Sequence, residues 1–102
     1  MIELLLMAEG QLADGELDRA EQLFAQVAAA DPRNAIAVVG LARVAQARGD
    51  VRAALEIARR ALAIDPEDVA ARRLVGELER ADEPRGRESV FGRLRALLRI
   101  RR

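Results

Sequence analysis

The side chains of this 102-residue chain that can take part in chemistry are almost all carboxylates and guanidiniums. The chain has 17 acidic and 17 basic residues, and every basic residue is an arginine. It contains no Cys, His, Lys, Thr, Tyr or Trp, and Ser89 is its one hydroxyl side chain. These absences remove thiolate and imidazole chemistry, the usual zinc and iron ligand sets, and Schiff-base formation.

Paired carboxylates are the remaining route to acid–base catalysis. Such a pair needs a desolvated cleft that moves the two pKa values apart. In this chain the Asp and Glu residues stand mostly among arginines, at the spacing of exposed helix surfaces. We therefore expect a protein that is not an enzyme and that holds no cofactor or metal ion.

Charge is distributed unevenly along the chain, although the formal net charge is zero. Residues 1–84 carry 16 acidic side chains and ten arginines, whereas residues 85–102 carry seven arginines and Glu88 alone. A split of this kind indicates a C-terminal segment with a task of its own, or one that folds back on the acidic body.

The N-terminal sequence MIELLLMAEG has neither the basic start nor the small-residue cleavage site of a signal peptide. No apolar stretch approaches the roughly 20 residues that a membrane-spanning helix needs. A cytoplasmic location is the expectation.

The elements that position the charged side chains follow from an internal repeat of 34 residues. The identical residues of the two copies include Ala8 and Ala42, Ala13 and Ala47, Gly15 and Gly49, Ala20 and Ala54, Asp31 and Asp65, and Pro32 and Pro66. Each glycine follows an apolar-periodic segment and predicts a helix C-terminus, and each proline ends a second helix. Glu16 and Asp50 are expected to cap the second helices with their carboxylates. The sequence therefore predicts all-α structure built from antiparallel helix pairs.

This pattern resembles the tetratricopeptide repeat (TPR), a 34-residue helix pair with small and large residues at fixed steps. The residues that carry the resemblance are Ala8, Gly15, Leu17, Ala20, Phe24, Ala28 and Pro32, then Leu41, Ala42, Gly49, Val51, Ala54, Ala61, Leu62 and Pro66. It implies an α-solenoid with repeats at 1–34 and 35–68. Family members often carry Trp or Tyr at Leu4, Val38, Gln11 and Ala45, so this chain buries less apolar area there.

A third copy begins at residues 67–82 and then loses register. We interpret 67–82 as a helix that caps the stack, which completes a repeat domain over residues 1–84. Residues 85–102 form the second unit, an Arg-rich amphipathic C-terminal helix.

Within that C-terminal unit, residues 88–101 place an apolar stripe on one face of a helical wheel, with arginines on the flanking or opposite arcs. The stripe includes Phe91, Leu94 and Leu98, and the arginines include Arg93, Arg95 and Arg99. Three interpretations stay open. The stripe packs on 67–82, lies on an anionic membrane surface, or binds a partner such as a second copy, an acidic protein or nucleic acid. Nucleic acid is the weakest of these, because Phe91 alone can stack on bases.

The TPR resemblance also implies a binding face, because the first helix of each pair lines the concave side, where family members hold extended peptides or helices. The implied lining residues are Ile2, Leu5, Glu9 and Leu12 in the first unit, Ile36, Val39, Arg43 and Gln46 in the second, and Ala70, Arg73, Glu77 and Arg80 in the third. The expected function is a scaffold that binds a protein or peptide there. Self-association through exposed repeat ends is a further alternative. The Lys/Asn clamp with which one TPR subfamily binds chaperone C-termini is not supported, since the chain has no Lys.

Overall fold

The computed structural model describes residues 1–83, which form five helices and no strand. They are α1 (Ile2–Ala13), α2 (Leu17–Ala30), α3 (Ala35–Ala47), α4 (Val51–Ile64) and α5 (Val69–Asp82). Each helix packs against the next, and α3 also contacts α1 and α5. The all-α repeat architecture that the sequence predicts is therefore confirmed, while the C-terminal helix predicted at 85–102 lies outside the described residues. None of the five helices is long and apolar enough to cross a bilayer.

Glycine closes the first helix of each pair in the same way. Gly15 and Gly49 have φ angles of +77° and +83°, which only glycine adopts without strain. The residue after each glycine donates a backbone hydrogen bond into the helix: the N–H of Glu16 to the carbonyl of Gln11, and the N–H of Asp50 to the carbonyl of Ala45. Both turns are Schellman motifs that satisfy the last carbonyls of the helix and reverse the chain.

The starts of the helices differ in how well they are capped. Asn34, Asp50 and Asp68 each accept a hydrogen bond from the backbone N–H three residues later, at 3.1, 3.1 and 2.9 Å. Glu16 precedes α2 but makes no such bond, so its predicted capping role is wrong. The cap geometry suits the short side chains of Ser, Thr, Asp and Asn, and the extra methylene of Glu carries its carboxylate past the free N–H groups.

The Asp-Pro pairs shape the turns between repeats. The Asp31 carboxylate accepts the N–H of Arg33 at 3.3 Å, and the Asp65 carboxylate accepts the N–H of Glu67 at 3.1 Å. Each turn is closed by a backbone bond to the residue three positions after the aspartate. The second helix therefore stops at the same point in both units, and the next first helix begins in register.

Two apolar clusters hold the stack together. The smaller one centres on Phe24, which is fully buried together with Ala8, Ala20 and Val44. The larger one joins α3, α4 and α5 through alanines and mid-sized aliphatic side chains such as Leu55, Leu74 and Leu78. Because alanine is frequent at the contacts, the helices approach closely without large side chains between them.

Candidate functional site

The first helices of the pairs lie side by side and share one face. An ion pair links the first two of them: Arg43 Nη1 of α3 lies 2.9 and 2.8 Å from the two carboxylate oxygens of Glu9 of α1. These side chains are 42% and 41% exposed, so the pair lies at the surface. Glu77 occupies the equivalent position in α5, 34 residues after Arg43. The 34-residue period thus places alternating charges in a row across three helices.

Two grooves run beside this row. The groove between α3 and α5 has a volume of about 250 Å³ and is lined by Val39, Arg43, Gln46, Ala70, Arg73, Leu74 and Glu77. The groove between α1 and α3 has a volume of about 400 Å³ and is lined by Leu12, Ala13, Arg43, Gln46 and Ala47. Arg43 and Gln46 line both grooves, so the two meet at α3. We call the surface formed by Leu12, Val39, Arg43, Gln46, Arg73 and Glu77 the first-helix face.

The first-helix face combines an apolar floor with a charged rim. Val39 and Leu74 are each 6% exposed and supply the floor. Arg73 and Glu77 are exposed beside them. Within residues 1–83, Arg73 makes no ion pair, whereas Arg43 is held by Glu9. The arrangement offers a partner an apolar contact next to a guanidinium that still has its hydrogen-bond donors free within this part of the chain.

The other implied lining residues occupy different surroundings. Leu5 packs against the Phe24 cluster and belongs to the core. Ile2 and Ile36 are 74% and 57% exposed and line neither groove, and Arg80 is exposed outside both. The residues proposed for the C-terminal unit lie outside the described residues, namely Phe91, Arg93, Leu94, Arg95, Leu98 and Arg99.

Sequence reasoning missed an ion-pair cluster that joins α2 to the end of α3. Arg48 Nη1 lies 2.5 Å from a Glu21 carboxylate oxygen, and Nη2 lies 2.5 Å from one of Asp18. The hydrogen bond to Glu21, followed by that to Asp18, raises the pKa of the Arg48 guanidinium above its ordinary value. The partners are 27 and 30 residues away from Arg48, so no helical or repeat spacing reveals them.

A cleft of about 470 Å³ also lies on the opposite side of α3, between α2 and α4. Its floor includes Val38 and Ala45, two of the positions where TPR proteins often carry Trp or Tyr. The small side chains noticed in the sequence were therefore the signal for this cleft, since an aromatic ring at either position would fill it.

Comparison with known proteins identifies the repeat. Residues 11–78 match the tetratricopeptide repeat family, a span that runs from within α1 to within α5. The chain belongs to the TPR family. A relative is cellulose synthase 1 operon protein C of Komagataeibacter xylinus, which is 39% identical over 56 residues. The aligned segment covers 55% of this chain and 4% of that protein. TPR repeats are typically non-catalytic modules that mediate binding between proteins, and this chain shares their architecture.

Proposed function

We propose that this chain is a non-catalytic interaction module that binds a peptide or a short helix on the first-helix face. The observation that carries the proposal is the meeting of the two grooves at Arg43 and Gln46. Together the grooves offer a partner a depression that extends from α1 across α3 to α5, lined by both apolar and charged side chains. The absence of His, Cys and Lys from the whole sequence supports the non-catalytic part of the proposal.

The lining indicates the chemistry of the partner. An apolar anchor side chain fits the floor formed by Val39 and Leu74, because burial of apolar area supplies most of the binding free energy. A carboxylate next to that anchor would pair with Arg73, whose planar guanidinium binds carboxylates in two places. So short a channel buries little area, and affinity in the micromolar range follows.

A charge-reversal experiment tests this function. Short helices and peptides from a displayed library are selected against the full chain, and the tightest binder is titrated calorimetrically. Arg73→Glu should weaken that binder by at least about tenfold, because it removes a charge-assisted hydrogen bond and adds a repulsive carboxylate. Arg19→Glu is the matched control, since Arg19 is an exposed arginine of α2 away from both grooves.

Both variants should keep the far-UV circular dichroism of the parent chain, as both arginines are exposed. If both variants lose the same affinity for the peptide, the loss comes from the change in net charge and not from the first-helix face. If Arg73→Glu binds like the parent chain, the first-helix face is not where this partner binds, and the proposal fails.

A further inference from the structure

The outward side of α1 is apolar and exposed, although the same repeat positions are buried or half-buried in the other first helices. Leu6 and Met7 are 67% and 52% exposed. Their equivalents 68 positions later, Leu74 and Val75, are 6% and 7% exposed. We call the surface formed by Glu3, Leu6, Met7 and Gly10 the α1 outer face. In α3 and α5 the equivalent surface is covered by the preceding second helix, α2 or α4. The α1 outer face therefore has the apolar character of a surface on which a second helix packs.

The opposite end of the stack, α5, differs on the side where a following second helix would pack. Val38 of α3 packs in the cluster that includes α4, the second helix of the same repeat, and Leu4 stands at the same repeat position in α1. The equivalent residue of α5 is Arg72, which is exposed, and Glu79 is exposed two helical turns farther along. Covering these two side chains with an apolar helix would remove their charges from water without a partner, which is costly. α5 thus has the polar outer side of a terminal repeat helix.

The sequence of the C-terminal unit contains the apolar spacing of a second helix. The buried positions of α4 are Ala54, Leu55, Ala58 and Ala61, and Leu62 is half-buried beside them. Apolar residues recur 36 positions later as Val90, Phe91, Leu94, Leu97 and Leu98. The residues of this second set are larger. The α1 outer face has matching room, because Gly10 replaces Val44 and Leu78 and a Cβ on Gly10 would meet no atom within 4 Å.

Charge also complements between the two parts of the chain. Residues 1–18 contain five acidic side chains and no arginine, whereas residues 85–102 contain seven arginines and one glutamate. Glu9 and Asp18 are already paired with Arg43 and Arg48, and Glu3 is the carboxylate of the α1 outer face itself. Opposite charges of this density steer two surfaces together and disfavour pairing of like ends.

From these four observations we propose that residues 88–101 of one copy of this chain dock as a helix on the α1 outer face of a second copy. The docked segment completes the missing layer in front of α1, in the way that α2 covers α3 and α4 covers α5. The face and the segment are different surfaces, so the interface is heterologous and joins copies head to tail unless the assembly closes on itself.

The short linker before the segment explains why the segment must come from another copy. The linker of residues 83–87 lets the start of the docked segment lie at most roughly 22 Å from the end of α5, because six Cα–Cα steps separate residues 82 and 88. Among the described helices α1 and α5 make no contact, since α3 lies between them. The outer side of α1 is then three helix spacings from α5, or roughly 24–30 Å. The segment of the same copy therefore falls short.

Sedimentation velocity of the full chain over a concentration series tests the proposal. Association should grow with concentration and weaken with added salt. Leu6→Glu, and separately the double change Phe91→Glu with Leu94→Glu, should each reduce the association constant at least about tenfold, because each buries a charge in the interface. Val69→Glu is the matched control, since Val69 is 67% exposed like Leu6 but lies on α5. Circular dichroism confirms that each variant is folded.

A mixing experiment identifies the surfaces. The Leu6→Glu chain keeps its segment, and the Phe91→Glu/Leu94→Glu chain keeps its face, so the two should form a one-to-one complex that grows no further. A parent chain that stays monomeric at every concentration overturns the proposal. So does a segment variant that associates like the parent, which would mean that two α1 faces pair directly. A monomer that floats with phosphatidylglycerol vesicles through Phe91 and Leu94 overturns it in favour of a membrane surface.

Discussion

Gly40 lies inside α3, next to the fully buried ring of Phe24 from α2. A glycine within a helix ordinarily destabilises it by about 1 kcal/mol relative to alanine. Here a Cβ on residue 40 would overlap the aromatic ring, so the glycine allows α2 and α3 to meet. One layer later the sizes are reversed, because Ala58 and Leu74 occupy the equivalent positions in the larger cluster. Large and small side chains thus compensate across each interface between repeats.

This compensation gives a prediction for two glycines. Gly40→Ala should lower the free energy of unfolding by about 1–3 kcal/mol, as expected for overpacking of a tight core. Gly76→Ala should raise it by roughly 0.5–1 kcal/mol, because alanine favours the helix and its Cβ would meet only Arg80 at an ordinary 3.5 Å. Urea unfolding of both variants measures the two values. A stabilising Gly40→Ala would contradict the role given to Phe24.

At the residue scale, the sequence anticipates part of the site. The 34-residue period is enough to place Glu9, Arg43 and Glu77 in one row, because equivalent positions of a repeat share a face. It does not show that Leu5 turns into the core, since that depends on how far α1 rotates about its axis to pack on Phe24. Nor does it show the ion pairs of Arg48, whose partners are brought close only by the crossing of α2 and α3.

Residues at the helix ends determine where each helix begins and stops. The Schellman turns at Gly15 and Gly49 and the Asp-Pro turns are visible in the sequence, because few residues other than Gly and Pro satisfy these geometries. The start of α2 is the exception. Glu16 and Asp50 occupy the same repeat position, yet only Asp50 accepts a hydrogen bond from the helix, at 3.1 Å from the N–H of Ala53.

Replacing Asp50 and Glu16 by alanine should therefore change the free energy of unfolding by different amounts. Asp50→Ala should lower the free energy of unfolding by about 0.5–2 kcal/mol, the usual contribution of an N-cap. Glu16→Ala should change it by less than about 0.5 kcal/mol, because only an exposed charge near the helix dipole is lost. Urea denaturation gives both numbers under the same conditions. Equal losses at the two positions would show that Glu16 caps α2 in solution.

On the scale of the whole molecule, the two ends of the stack differ in kind. α1 ends the stack with exposed Leu6 and Met7, whereas α5 ends it with exposed Arg72 and Glu79. In a repeat protein each unit is stabilised by its neighbours, so an exposed apolar face favours packing of a further helix and an exposed charged face disfavours it. The period in the sequence predicts the stack, but the difference between its ends emerges only from comparing burial at equivalent positions.

This difference predicts the effect of removing the C-terminal unit. A chain that ends at Glu83 should unfold at the same urea concentration as the full chain, when both are studied at concentrations where the full chain is monomeric. The physical reason is that α5 exposes the charged Arg72 and Glu79 on the side that a second helix of its own copy would cover. A loss of more than about 2 kcal/mol would place residues 88–101 on α5 as the second half of a third repeat.

A partner that binds where the first helices meet should perturb the amides of those helices, and amide chemical-shift mapping measures this residue by residue. The ¹⁵N-labelled full chain is titrated with the peptide selected from the library. The largest chemical-shift changes should cluster on α1, α3 and α5 around Arg43, Gln46, Arg73 and Glu77. Shifts confined to α2 and α4, around the cleft beside Ala45, would contradict binding on the first-helix face.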